Sequence, residues 1–269
     1  MASILDITNS WNPTDPTVEE LLAESAFDTL RQFTGASNYV FLASMVDQSG
    51  NEGFAVYKPV AGEQYLWDFE SGLHLREVAA YELSKLLGWN LIPPTVIRQD
   101  GPHGNGSLQL FIGHDPSKHF FTIEQNINLP ETPDRAVKYS ELSSIEMSLM
   151  ELAVFDYISN NADRKAGHVL IDEKQRIWGI DNGLCFHREN KLRTVIWNFA
   201  GIEFDSKLIV DLQRTLEFLS SSIDMNYELC SLISSSELES LLDRIQTLLT
   251  ERTLPAMPSE FRAFPWPLI

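Results

Sequence analysis

Apolar and polar positions along the chain follow two periods, one of about two residues and one of about 3.6. Tyr39–Val46 is an apolar, β-favouring run, Asp47–Gly53 a turn and Phe54–Pro59 a second strand. Together they predict a hairpin that carries Lys58 at its far end. Leu75, Val78, Ala79, Leu83 and Leu86 recur at helical spacing and predict a helix over Gly72–Leu87, closed by Gly88. Leu142, Ile145, Leu149, Leu152 and Ala153 mark a longer helix over Glu141–Ser159, and two more are expected over Ser206–Leu219 and Glu237–Leu249. Short strands are expected at Thr95–Arg98 and Ser107–Ile112, around the turn-rich Asp100–Gly106, and again at His168–Ile171 and Arg176–Ile180. Pro13 and Pro16 mark an irregular lead-in. Thr17, with Glu20 three residues on, reads as a capping box that starts a helix at Thr17. The stretch from Ile112 to about Asp134 lacks periodicity and is expected to be loop. Strands dominate the first ~110 residues and helices the remainder, which predicts an α+β chain of two unequal lobes, residues 1–110 and 111–269.

With 43% apolar residues in 269, the chain has ample material for a packed core. Its 38 acidic against 20 basic side chains give a net charge of −18, which argues against a nucleic-acid binder and against broad adhesion to an anionic membrane. Two cysteines are too few for a disulfide framework and point to a reduced setting. No signal-peptide pattern is visible at Met1–Trp11, and no stretch approaches the ~20 apolar residues of a membrane span. A soluble, cytoplasmic protein without integral membrane association is expected.

The chemistry concentrates in a few polar positions. Lys58 at a strand end is placed to reach a phosphate, and Glu77 lies on the following helix, where it can hold that lysine. The loop from Asn160 to His168 joins a long apolar helix to a strand pair and is rich in groups that fill cores poorly. Asp163 and Asp181 flank that strand pair, which can bring both to one end. Phosphoryl transfer needs such a pair, one carboxylate to orient the attacking hydroxyl and one to hold a divalent cation. Taken singly, each of these residues is more simply a solvent-facing or turn residue; their order and spacing together favour the site. Gly101–Gly106 lacks the strand–loop–helix setting of a phosphate-binding loop, and no H-E-x-x-H or G-x-S-x-G pattern occurs.

Five segments in this order resemble the phosphatidylinositol 3-/4-kinase-like superfamily, and most closely the type II phosphatidylinositol 4-kinases. They are Phe33–Tyr39, Ala55–Pro59, Glu77–Pro93, Gly106–Ile112, and Asp156–Arg164 followed by Ile180–Phe186. The resemblance implies a bilobal, protein-kinase-like fold with a mainly antiparallel β N-lobe and a helical C-lobe. It also implies an ATP- and Mg²⁺- or Mn²⁺-dependent kinase that transfers the γ-phosphate to a hydroxyl of a lipid head group, small molecule or protein. A nucleotidylating enzyme or an ATP-binding pseudokinase is the alternative use of such a pocket. In this likeness Gly35, Ser37 and Asn38 form a phosphate-facing loop, Lys58 contacts the α/β phosphates and Glu77 holds it. Gln109, Leu110, Phe111 and Ile112 form the hinge that meets adenine, with Val56 and Ile180 sandwiching the base. Asp163 is then the catalytic-loop aspartate and Asp181 the metal-binding one. Five residues after Asp163 the family places a metal-binding Asn, and here His168 stands there; its imidazole suits Mn²⁺ better than Mg²⁺. Nothing matches the cysteine-rich anchoring insertion of the eukaryotic lipid kinases. Leu184–Gly201 falls where the family has its activation or substrate loop. Residues 164–193 carry seven basic against four acidic side chains, a local excess suited to drawing in an anion.

Overall fold

Strict alternation over Glu52–Pro59 determines the first lobe. Gly53, Ala55, Tyr57 and Pro59 are buried on one face of this strand, while Phe54, Val56 and Lys58 lie half-buried on the other. The computed structural model describes residues 11–33, 39–129, 137–221, 227–259 and 262–269. In chain order, α1 (Val18–Glu24) is followed by β1 (Ala26–Gln32), β2 (Phe41–Val46), β3 (Glu52–Pro59), α2 (Leu73–Leu87), β4 (Thr95–Gly101) and β5 (Gly104–Leu110). The strands form one antiparallel sheet in the order β1-β2-β3-β5-β4. Cross-strand partners share a face. Ala43, Met45, Ala55, Tyr57, Leu108 and Leu110 therefore line one side, which is covered by Trp11 and by Val18 and Leu22 of α1. Met45, Leu108 and Leu110 each contribute about 1.5–3 kcal/mol on burial, the alanines less. The opposite side carries Leu42, Val56 and Gln109 in one row and Lys58 beside Ser107 in another.

The second lobe is helical. It contains α3 (Phe120–Glu124), α4 (Ser144–Ser159), the hairpin β6 (Val169–Ile171) and β7 (Ile177–Gly179), then α5 (Ser206–Ser221), α6 (Glu228–Leu232) and α7 (Ser235–Glu251). The chain is thus α+β, with an antiparallel sheet in its first part and helices in its second, as the sequence pattern predicts. From Leu149 to Asp156, α4 is buried around its whole circumference, so it is the central helix of this lobe. The α2 helix is contributed by the first half of the chain, yet Val78, Leu83 and Leu87 pack in the core built on α4. Conversely, Leu170 and Trp178 of the β6–β7 hairpin belong to the apolar cluster of the sheet. Among the described residues, no helix is long and apolar enough to cross a membrane.

Several local expectations need correction. Thr17 makes no capping bond. Its hydroxyl and amide both donate to Asp15 Oδ1, at 2.8 and 2.9 Å, so an Asx turn precedes the helix, which starts at Val18. Strand β1 is absent from the sequence reading because, as an edge strand, it buries no residue and shows no apolar alternation. The segment after Ile112 holds the short helix α3. The α4 helix begins at Ser144, where Ser143 and Glu146 form a true capping box, rather than at Glu141. His168 closes a 3₁₀ turn, Ala166–His168, instead of starting β6.

Candidate active site

The two lobes meet at Lys58. Its ammonium touches Glu77 Oε1 and lies 2.8 Å from Asp181 Oδ1. The other oxygen of Glu77 accepts the Asn182 amide at 2.9 Å, so this one carboxylate ties β3, α2 and the segment after β7 together. Glu77 is 3% exposed, and a buried carboxylate needs such partners to stay charged. Burial disfavours the Lys58 ammonium, but the carboxylates of Asp181 and Glu77 outweigh it and hold the lysine above its usual value. Lys58 in turn, against the opposing effect of burial, holds the Asp181 carboxyl well below the usual range. Gly106, paired with Pro59, lets β5 close on this strand: a Cβ there would sit 2.4 Å from the Lys58 carbonyl oxygen.

The loop after α4 supplies the second group of side chains. Asn160, left-handed at φ 56°, ends α4 and turns the chain toward the cleft. Asn161 Oδ1 accepts the Asp163 amide at 2.9 Å, and the Asp163 carboxylate contacts Lys165. Burial pushes the Asp163 carboxyl up, against the counter-pull of Lys165. Asp181 sits opposite, left-handed at φ 60° and with its side chain half exposed. His168 lies between the two aspartates. Its Nδ1 is 3.1 Å from the Asp163 carbonyl oxygen and its Nε2 is 3.3 Å from Asp181 Oδ2.

Burial lowers the His168 imidazole to about 4 despite the pull of Asp181, so it is neutral near pH 7. The neutral ring carries its proton on one nitrogen: Nδ1 faces the Asp163 carbonyl oxygen and Nε2 the Asp181 carboxylate. A proton on Nδ1 would leave the Nε2 lone pair free for a cation shared with Asp181. Among the described residues, no group of three or more His, Cys, Asp or Glu is gathered to hold a metal unaided. The imidazole of His168 and the carboxylate of Asp181 are donor types that a divalent ion accepts, and such an ion would take its remaining ligands from phosphate oxygens and water.

Behind these groups lies a buried polar hub. Asp156 and Arg164 are both fully buried, with Arg164 Nε 3.0 and 3.2 Å from the two carboxylate oxygens. Asp156 also accepts from Asn161 Nδ2 at 3.2 Å and Thr194 Oγ1 at 3.0 Å. Burial pushes the Asp156 carboxyl up, with Arg164 opposing.

Of the residues singled out from sequence, Lys58, Glu77, Asp181, His168 and Asp163 converge. Val56 shares the face of Lys58 on β3, and Ile180 packs against the sheet cluster. Gln109 is buried with its amide on Thr95 Oγ1 at 2.9 Å. The Leu110 and Phe111 amides are committed to the carbonyls of Pro94 and Phe54, so among Gln109–Ile112 the chain leaves the sheet at Ile112. Gly35, Ser37 and Asn38 lie outside the described residues. Sequence reasoning missed Lys165 and Arg164, which look like parts of a charged turn. It also gave no hint that the Leu184–Gly201 segment is pinned to the first lobe by Lys191, 3.0 Å from Asp68 Oδ2.

An α+β chain with a Lys–Glu–Asp cluster where its sheet meets its helical lobe is the class this fold and site define. By likeness, the chain belongs to the family of Protein Rv2133c of Mycobacterium tuberculosis, with 34% identity over 270 residues, 92% of this chain and 94% of that protein. No family model matches the chain. Phosphatidylinositol 4-kinase gamma 4 of Oryza sativa subsp. japonica is 26% identical over 189 residues, 57% of this chain and 30% of that protein. Among solved structures, hydra Fam20 with sugar superposes at TM-score 0.49 and 14% identity, covering 93% of this chain and 92% of that one. The Golgi casein kinase gives 0.48 and 16%, covering 87% of this chain and 74% of that one.

Proposed function

We propose that this protein is an ATP-dependent kinase of the phosphatidylinositol 3-/4-kinase-like type, transferring the γ-phosphate to a hydroxyl acceptor. The observation that carries this reading is Lys58 held between Glu77 and Asp181 at the junction of the lobes. A cation positioned by a buried carboxylate next to a second, half-exposed one is what binding a metal-chelated polyphosphate requires. The partial alignment with phosphatidylinositol 4-kinase gamma 4 supports the same reading.

In this scheme Lys58 binds the α/β phosphates and Glu77 fixes its ammonium. Val56 and Ile180 enclose the adenine, whose hydrogen bonds fall to the hinge at Ile112. Asp181 and His168 would hold Mg²⁺ or Mn²⁺, which when bound offsets charge on the phosphate oxygens. Asp163 orients the acceptor hydroxyl and takes its proton, a task favoured by a carboxyl whose burial raises its basicity. Lys165, on the same carboxylate, orients it toward the acceptor, and the proton leaves Asp163 to water. The acceptor would approach along Leu184–Gly201.

The test is Asp181→Asn, an isosteric change that removes the charge. ATP turnover in Mg²⁺ or Mn²⁺ should fall by about 100-fold or more. Turnover that survives the substitution would falsify the mechanism, and mass spectrometry of the labelled acceptor separates added phosphate from added nucleotide.

A further inference from the structure

Asp181 has a demanding backbone. Its φ of 60° lies in the left-handed region, which aspartate tolerates without favouring, so something outside the residue must hold it there. The two peptide units around it are fixed from both sides. The Ile180 amide donates to the His168 carbonyl at 3.0 Å, and the Asn182 amide donates to Glu77 at 2.9 Å. Two further groups, one on each side of Asp181, go to a single side chain. Arg164 Nη1 donates to the Ile180 carbonyl at 2.6 Å, and Arg164 Nη2 donates to Asn182 Oδ1 at 2.7 Å.

We infer that Arg164 is a positioning residue for Asp181: its planar fork spans the residues before and after the proposed metal ligand and sets the carboxylate's direction. This inference rests on the reading of Asp181 as the metal-binding aspartate. The guanidinium is itself immobilised. It is 0% exposed, and its Nε is bound to Asp156, so it cannot rotate away without stranding a buried carboxylate. Room for it is made by Gly179, where a Cβ would come 3.3 Å from Arg164 Nη2 and 2.8 Å from Leu152 Cδ1. Arg164 also follows Asp163 directly. One side chain therefore fixes the distance between the loop that carries the proposed base and the loop that carries the proposed metal ligand.

Arg164→Lys is the informative change, because lysine keeps a cation for Asp156 but cannot bridge Ile180 and Asn182 together. Thr194→Val is its control: it removes a bond to Asp156 and touches neither neighbour of Asp181. Two readouts are taken on the full chain. The first is hydrogen exchange of the Asn182 amide without any ligand, and the second is binding of Mn²⁺ with ADP by calorimetry. Arg164→Lys is expected to speed exchange at Asn182 and to weaken Mn²⁺–ADP binding, each about tenfold or more, whereas Thr194→Val lowers the melting temperature and leaves both readouts within about twofold. If Arg164→Lys does not fold, Asn182→Ala, which removes one arm of the fork, takes its place with the same criteria. Unchanged exchange at Asn182, or an equal change in the Thr194→Val control, overturns the positioning role. Accelerated exchange in a protein whose unmodified form binds no Mn²⁺–ADP leaves Arg164 as the support of Asp181 but overturns the kinase reading on which the metal role depends.

Discussion

At the scale of single residues, the Asp156–Arg164 pair behaves unlike a surface salt bridge, since both side chains are fully buried. Such a pair adds little net stability over an apolar replacement, but losing one member leaves the other charged and unsolvated. Asp156→Ala is therefore expected to cost about 3–5 kcal/mol, read as a lower midpoint in urea unfolding. A loss below about 1 kcal/mol would mean that Arg164 finds another partner. The same physics explains what the sequence could and could not disclose here. Lys58, Glu77, Asp163 and Asp181 are legible as chemistry because their types are costly to bury and their order matches a phosphoryl-transfer site. Arg164 is equally costly to bury, but beside Asp163 and Lys165 it has the appearance of a solvated turn. Its partner Asp156 lies on α4, eight positions earlier, and only the fold brings the two together.

Among elements, α2 illustrates how a helix start is supported from a distance. Its N-cap is Gly72, which has no side chain to offer, and the first turn contains no acidic residue. Glu63 supplies the cap instead, accepting the Gly72 amide at 3.1 Å and the His74 amide at 2.9 Å, with His74 Nδ1 also at 2.9 Å. Burial works against the charge, yet these contacts hold the carboxyl down at about 2, against an ordinary value of 4.5. A folded value below the unfolded one means that the stabilisation is present above about pH 4.5 and fades as pH falls toward 2. The difference in unfolding free energy between the protein and Glu63→Gln should accordingly narrow between about pH 5 and pH 2. A difference that stays constant through that range would show that the cap works without its charge. Elements with a long run of buried apolar residues (β2, β3, α2, α4, α5 and α7) are legible in the sequence. Two others are not: β1 lies at the sheet edge with no buried residue, and α3, which buries Phe120 and Ile123, is only five residues long.

For the whole molecule, each lobe holds a piece of the other's core. The α2 helix packs with the α4 core, the β6–β7 hairpin reaches the sheet cluster, and Arg76 of α2 is paired with Glu237 of α7. Asp68 and Lys191 add a further tie from the β3–α2 connection to the segment after Asp181. The groups of the proposed site are therefore brought together by packing alone. The contact between Lys58 and Asp181 has a consequence of its own. Asp181 gives up Lys58 only when another cation replaces it, and Lys58 gives up Asp181 only when another anion does. Divalent ion and nucleotide should thus each raise the other's affinity by one common factor, as reciprocal linkage demands, typically about 5- to 150-fold. Titrating Mn²⁺ calorimetrically with and without ADP measures that factor, and a value near one would dismiss the exchange. By this bridge a lone metal ion or a lone nucleotide meets a site that is already neutralised from within, and only the chelate finds both charges free to receive it.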